Sequence, residues 1–75
     1  MNERIINIAA ETLKITVDEA ANNSKPIPEI NGVYFWNSGR GGKAVIINSS
    51  EEKLTATSSV SFDKHLQAFI EGKRN

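Results

Sequence analysis

The sequence has no cysteine and only one histidine in 75 residues. Without cysteine there are no disulfides and no thiolate metal sites. A four-ligand zinc site would have His65 as its only imidazole ligand, so we expect neither a metal nor a cofactor. A chain of this length buries only about 60% of the surface that it exposes when unfolded. Small domains without covalent staples often gain stability by self-association, so we expect a homo-oligomer.

The sequence also lacks a net charge and long hydrophobic runs. Nine Lys and Arg balance nine Asp and Glu, whereas a nucleic-acid binder normally carries a basic surface. The longest apolar runs, 33–36 and 44–47, have four residues each, far short of the roughly 20 that a membrane helix needs. Glu3 and Arg4 precede only a short mixed stretch, which is not typical of a signal peptide. We therefore expect a cytoplasmic protein that does not bind a membrane, and nucleic acid is an unlikely partner, although its binding through aromatic side chains stays an alternative.

Helical periodicity marks the first third of the chain. Residues 3–22 carry one apolar stripe at 3.6-residue spacing, formed by Ile6, Ala9, Ala10, Leu13, Val17, Ala20 and Ala21. We favour a single helix over this range. An alternative stays open, because 13–17 alternates like a strand and Thr16 with Glu19 matches a capping box that would start a second helix. The helix is thus either continuous or broken near Thr16.

The remaining segments predict a loop, three strands and a last helix. Residues 22–28 contain two prolines and favour a loop. Segments 33–36, 43–47 and 54–60 have the composition of strands, and the nearly continuous apolar run in 43–47 is typical of a central strand covered on both faces. Ser61 is a suitable N-cap for a helix with the stripe Phe62, Leu66, Phe69 and Ile70, which Gly72 would end.

These elements predict one α+β domain over residues 1–75. Its order is an N-terminal helix, a three-stranded antiparallel meander and a C-terminal helix (αβββα). Packing both amphipathic helices on one face of the small sheet is the simplest way to bury their stripes. Which face they cover stays open at this point.

The loop 38–43 has the most unusual composition in the chain. Its glycines let backbone N–H groups approach an anion closely, while Arg40 and Lys43 supply positive charge. We therefore take Arg40, Gly41, Gly42 and Lys43 as candidate phosphate ligands. The spacing matches neither a P-loop nor a dinucleotide fingerprint, and the plain alternative is a hairpin tip with a solvated arginine.

A second cluster of hydroxyls leads into the last helix. Ser59 and Ser61 precede its N-terminus, where unpaired N–H groups can hold an anion. Ordinary capping explains part of this pattern. In a meander the third strand ends at the same end of the sheet as the glycine loop. The glycine loop and the two serines can therefore belong to one site.

Alternation along 33–36 places Tyr34 and Trp36 on one face of the strand and Phe35 on the other. If the helices cover Phe35, the other two rings are exposed and can stack on a base or anchor a partner. If the register is reversed, they belong to the core. We interpret His65 as a residue at the boundary of the apolar stripe.

No catalytic constellation is visible, so we predict a non-catalytic module rather than an enzyme. The preferred function is binding of a phosphate-bearing or other anionic small molecule, similar to a nucleotide. The predicted ligand-binding residues are Arg40, Gly41, Gly42, Lys43, Ser59, Ser61, Trp36 and Tyr34. The alternative is a protein–protein interaction module, such as a small inhibitor, immunity or accessory protein, that uses an exposed sheet edge or the aromatic face.

Overall fold

The computed structural model describes residues 3–38, 42–57 and 59–74. Its helices are α1 (Glu3–Leu13), α2 (Val17–Asn22) and α3 (Phe62–Ile70). Its strands are β1 (Ser24–Ile27), β2 (Gly32–Trp36), β3 (Lys43–Asn48) and β4 (Lys53–Thr57), with a short 3-10 turn at Pro28–Ile30. The strands form one antiparallel sheet in the order β1-β2-β3-β4. The α+β class is therefore confirmed, with one strand and one helix more than predicted.

The first helical region is broken at Thr16, so the interpretation as a continuous helix is wrong. Lys14 takes a left-handed backbone with φ 58°, which ends α1. The Thr16 hydroxyl then accepts a hydrogen bond from the Glu19 backbone N–H at 3.1 Å, and Thr16 Oγ1 donates to the Glu19 carboxylate at 3.4 Å. The Thr16 N-cap at this position outweighs the apolar periodicity that runs through it.

The proline-containing segment is an edge strand rather than a loop. Trp36 N–H donates to the Asn23 carbonyl at 3.1 Å, so the following bonded pairs of this antiparallel ladder are 25 with 34 and 27 with 32. Pro26 falls between them, and its nitrogen points away from β2. The missing N–H therefore removes no hydrogen bond of the ladder. An edge strand tolerates proline at such an outward-facing position.

The helices lie on opposite faces of the sheet, so the expectation that both pack on one face is wrong. Phe35, Val45 and Ile47 face α1 and α2, in a core completed by Ile5, Ala9, Ala10, Leu13 and Ala20. The other face packs against α3 through Ile27, Ile46 and Phe69, with Tyr34, Leu54, Phe62 and Leu66 partly buried around them. The cause lies in β3, where all four residues of Ala44–Ile47 are buried. A strand that is apolar on both sides needs cover on both.

Strand β4 ends at Thr57, three residues earlier than predicted, where Val60 N–H turns back to the Thr57 carbonyl at 3.1 Å. Ser61 is the N-cap of α3 as predicted. Within the described parts of the chain, none of the helices combines the length and hydrophobicity needed to cross a bilayer.

Candidate ligand-binding groove

A concavity of about 410 Å³ lies on the α3 face, where β2 ends and α3 begins. We call it the aromatic groove. Its walls come from strands β1, β2 and β3, from the residue after β2 and from the first residue of α3. The lining residues are Lys25, Tyr34, Trp36, Asn37, Lys43, Ala44 and Phe62.

Three aromatic rings give the groove its character. The Tyr34 ring lies 5.8 Å from that of Trp36, tilted by 31°, and meets the Phe62 ring edge-on at 4.9 Å. All three are half-buried, so each ring packs in part against the protein and lines the groove with the rest. Ala44 is the register partner of Trp36 and is buried. Its small side chain leaves the depth that a larger residue would fill.

Tyr34 keeps its phenolic proton to a higher pH than an exposed tyrosine does. Desolvation by burial raises its pKa above the usual 10.0. In the groove, Tyr34 therefore offers a neutral ring with a hydroxyl that can both donate and accept a hydrogen bond.

Lys25 supplies positive charge on the same face. It is the register partner of Tyr34, so both side chains leave the sheet on the α3 side. Its ammonium lies 4.5 Å from the centre of the Phe62 ring, within range of a cation–π contact. Lys25 is not among the predicted ligand-binding residues, because the two prolines in 22–28 favour a loop. The preference of residues before proline for extended backbone was a signal for the strand.

Lys43, by contrast, belongs to two surfaces. Its neighbour Ala44 faces α3, so by strand alternation Lys43 leaves the sheet on the α1 side. It borders the aromatic groove and also a second concavity of about 280 Å³. Thr12, Leu13, Lys14, Asn37 and Gly42 line that second concavity with it.

The predicted glycine-loop ligands are described only at their C-terminal end. Arg40 and Gly41 lie outside the described residues. Gly42 is buried at the base of the loop, where Asn37 N–H donates to the Lys43 carbonyl at 2.9 Å. The Asn37 amide also donates to the Leu13 carbonyl at 3.4 Å, which ties the loop base to the end of α1.

The two predicted serines are exposed and hydrogen-bonded within their own segment. Ser61 Oγ accepts from Lys64 N–H at 3.3 Å as the cap of α3, and Ser59 Oγ lies 2.7 Å from Thr57 Oγ1. Neither serine belongs to the lining of the aromatic groove. The structure therefore brings Tyr34, Trp36 and Lys43 together with Lys25, and it does not place Ser59 and Ser61 in the same lining.

His65 is buried, with 1% of its surface exposed, so its interpretation as a boundary residue is wrong. Its Nε2 lies 2.7 Å from the Leu54 carbonyl. Since a carbonyl only accepts, Nε2 carries the hydrogen. Nδ1 is left as the one buried side-chain nitrogen or oxygen without a partner in the described chain. His65 is thus buried between its own helix, α3, and strand β4.

No family model, curated protein or solved structure matches this chain. Among the described residues, no group of three or more His, Asp or Glu side chains is placed to hold a metal ion.

Proposed function

We propose that the protein is a non-catalytic binding module that holds a small anionic ligand with a flat aromatic ring, similar to a nucleotide, in the aromatic groove. The observation that carries the proposal is the position of Lys25 on the same sheet face as Tyr34, Trp36 and Phe62. Rings and a cation are the two elements that a base and a phosphate need.

The rings would supply most of the affinity. Stacking on an aromatic side chain is worth about 1–3 kcal/mol per base, and it tolerates different bases because each has a π-face. Trp36 is the largest of the three rings and lies at the end of β2. A base on Trp36 would bury the part of the indole that the protein leaves uncovered.

The cations would hold the phosphate. Lys25 is exposed, so its ammonium can turn from the Phe62 ring to a phosphate oxygen with little rearrangement. Lys43 borders the same groove from the neighbouring strand. Arg40 is three residues from Asn37 and three from Lys43 along the chain, and we keep Arg40 and Gly41 as candidate phosphate ligands. In this proposal Ser59 and Ser61 contribute polar surface next to the phosphate rather than direct ligands.

The single tryptophan makes the test direct. Titrating the protein with AMP, ADP and ATP should quench Trp36 fluorescence in a saturable way, since a base stacked on the indole changes its surroundings. Adenosine and inorganic phosphate, tested separately, should each bind more weakly than AMP. If none of these compounds at about 1 mM quenches the fluorescence or raises the melting temperature, the proposal is wrong.

Two lysine variants separate the groove from general charge effects. Lys25→Ala should weaken AMP binding while the fold is kept, because this side chain is exposed. Lys73→Ala is the matched control. Lys73 is also exposed, but it lies beyond the C-terminal end of α3, whereas Phe62 and the groove lie at the N-terminal end. Equal losses in the two variants would indicate nonspecific attraction instead of a site.

A further inference from the structure

Helices α1 and α3 end in the same kind of turn, but with different residues at its left-handed position. At the end of α3, Lys73 N–H donates to the Ala68 carbonyl at 3.1 Å. Gly72 N–H donates to the Phe69 carbonyl at 3.0 Å, and Gly72 has φ 101°. These two bonds and the left-handed residue define the Schellman motif, in which glycine is preferred because it has no Cβ.

Helix α1 ends in the same motif with a lysine at the position of the glycine. Ile15 N–H donates to the Ala10 carbonyl at 3.0 Å, and Lys14 N–H donates to the Glu11 carbonyl at 3.4 Å. Lys14 has φ 58°, a conformation that is unfavourable for a residue with a Cβ. The lysine thus lowers the stability of this turn, and a role of its side chain would account for its presence.

Two other residues with side chains have left-handed backbones in the described part of the chain, and both can be explained. Asn31 is of a residue type that tolerates this conformation. Glu51 has φ 66°, and its carboxylate forms a salt bridge with Arg4 at 3.0 Å. The Lys14 ammonium, by contrast, forms no salt bridge with a described carboxylate. Its side chain is therefore the one of the three that the fold does not use.

Lys14 lines the second concavity together with Lys43. Both lysines are exposed, and neither has a carboxylate partner among residues 3–38, 42–57 and 59–74. Thr12 supplies a hydroxyl that can donate a hydrogen bond, and no described carboxylate belongs to the lining. Glu11 lines a different concavity, with Lys53. Two ammonium groups and a hydroxyl in one concavity suit an anion with several oxygens.

The carbonyl groups at the end of α1 do not prevent an anion from binding. The Ala10 and Glu11 carbonyls accept hydrogen bonds within the Schellman motif, and the Leu13 carbonyl accepts from the Asn37 amide at 3.4 Å. A helix C-terminus carries about half a negative elementary charge, located on its unpaired carbonyls. The two ammonium groups carry full positive charges, so the net charge around the concavity stays positive.

We propose that Lys14 and Lys43 bind a phosphate group in the second concavity. A phosphate bound there would explain why α1 ends in lysine where α3 ends in glycine. Two sources of phosphate have this chemistry, namely inorganic phosphate and the terminal phosphate of a nucleotide whose base lies in the aromatic groove. The second source rests on the proposed function, and Lys43, which borders both concavities, would then connect the two sites.

Titration with inorganic phosphate at constant ionic strength, followed by NMR of the backbone amides, tests the site. The amides of Thr12, Lys14 and Lys43 should shift in a saturable way as phosphate is raised to about 10 mM. Lys14→Gly should weaken this binding severalfold or more. The same variant should raise the melting temperature, because glycine is preferred at this position of the motif. A lysine that serves only the fold would give the opposite change in melting temperature.

Lys73→Ala is again the matched control, because it removes an exposed lysine from the same motif at the end of α3. It should leave the phosphate-dependent shifts unchanged. Equal weakening in the two variants would indicate nonspecific attraction and overturn the proposal. The proposal would also be wrong if the shifts occurred only outside the second concavity, or if Lys14→Gly bound phosphate as well as the wild type. A Lys14→Gly protein that lost stability along with binding would contradict it too.

Trp36 fluorescence separates the two sources of phosphate. If ATP binds more tightly than AMP and Lys14→Gly removes the difference, the site holds the terminal phosphate of a nucleotide. If AMP and ATP bind equally while inorganic phosphate shifts the Lys14 amide, the site holds a free phosphate ion. Either result supports the second site.

The second site and the aromatic groove can also fail separately. If the groove binds no nucleotide, Trp36 quenching is absent while the phosphate-dependent shifts at Lys14 remain. If the second site is wrong, nucleotides quench Trp36 and Lys14→Gly leaves their affinities unchanged.

Discussion

The two faces of the sheet are covered to different degrees. On the α1 and α2 side, Phe35, Val45 and Ile47 are all fully buried. On the α3 side, Ile46 is fully buried, but Tyr34, Trp36 and Leu54 are only half-buried. The strand residues on the first side lie in a closed apolar core, whereas Tyr34 and Trp36 on the second side line the open aromatic groove.

The difference follows from the lengths of the helices. Helices α1 and α2 have 11 and 6 residues, while α3 has only 9. Because α3 begins at Phe62 beside Tyr34, it leaves the Trp36 end of β2 without a helix above it. We therefore expect the face under α1 and α2 to supply the larger share of the stability, while the short cover of the other face leaves the aromatic groove open.

The largest test of this comparison uses neighbouring aromatic residues that face opposite ways. Phe35→Ala should cost about 3–5 kcal/mol in the free energy of unfolding, since it empties the centre of the closed core. Tyr34→Ala should cost clearly less, because part of its ring already contacts solvent. Urea denaturation followed by circular dichroism measures both. Equal costs would show that the two faces are equally well packed.

A smaller effect is expected where a strand residue has no room for a side chain. A Cβ at Gly32 would lie 2.7 Å from the Ile47 carbonyl oxygen and 2.9 Å from Ile30 Cδ1. The carbonyl belongs to the ladder between β2 and β3 and has little freedom to shift. Gly32→Ala should therefore destabilise the protein by about 1–3 kcal/mol, as overpacking does.

Gly72→Ala is the control for Gly32→Ala. Gly72 has φ 101°, but nothing lies within 4 Å of the added Cβ. Its cost comes from the backbone alone, and it should fray only the end of α3. If Gly32→Ala were as stable as the wild type, the Ile47 carbonyl would be able to move away from the added Cβ at little cost, and the contact between β2 and β3 would be less rigid than proposed.

Local signals in the sequence were enough to predict several elements. Ser61 and the stripe after it predict α3, and the apolar run after Lys43 predicts β3. At Thr16 the sequence held two contradictory signals, a stripe for one helix and a cap for another. Their relative strength depends on how Ile15 and Val17 pack, which periodicity does not report.

The parts that were missed depend on tertiary pairing. Segment 24–27 is a strand only because β2 offers it a partner and Pro26 falls at an outward position. The placement of α3 on the opposite face was implicit in Ala44–Ile47, whose two sides are both apolar. Lys25 could be assigned to the groove only with β1 in register, so this cation was outside the reach of local patterns.

The smallest predicted effect concerns the proton of Tyr34, the only tyrosine in the chain. Burial raises its pKa in the folded protein above the 10.0 expected when unfolded. The neutral phenol therefore contributes stability fully below about pH 10, and this contribution is lost as the pH rises through the higher folded pKa. Absorbance of the phenolate, titrated in the folded and the urea-unfolded protein, should show the difference directly.

Tyr34→Phe isolates the contribution of this one phenol. The variant should lose less stability than the wild type when the pH is raised from about 9 to about 11, because its ring has no proton to release. The two faces therefore differ in their pH dependence too. Phe35 has no ionisable group, so its contribution to the free energy of unfolding is the same at every pH. If the phenolate forms at the same pH in the folded and unfolded protein, the Tyr34 ring is more open to water than its contacts with Phe62 and Trp36 indicate.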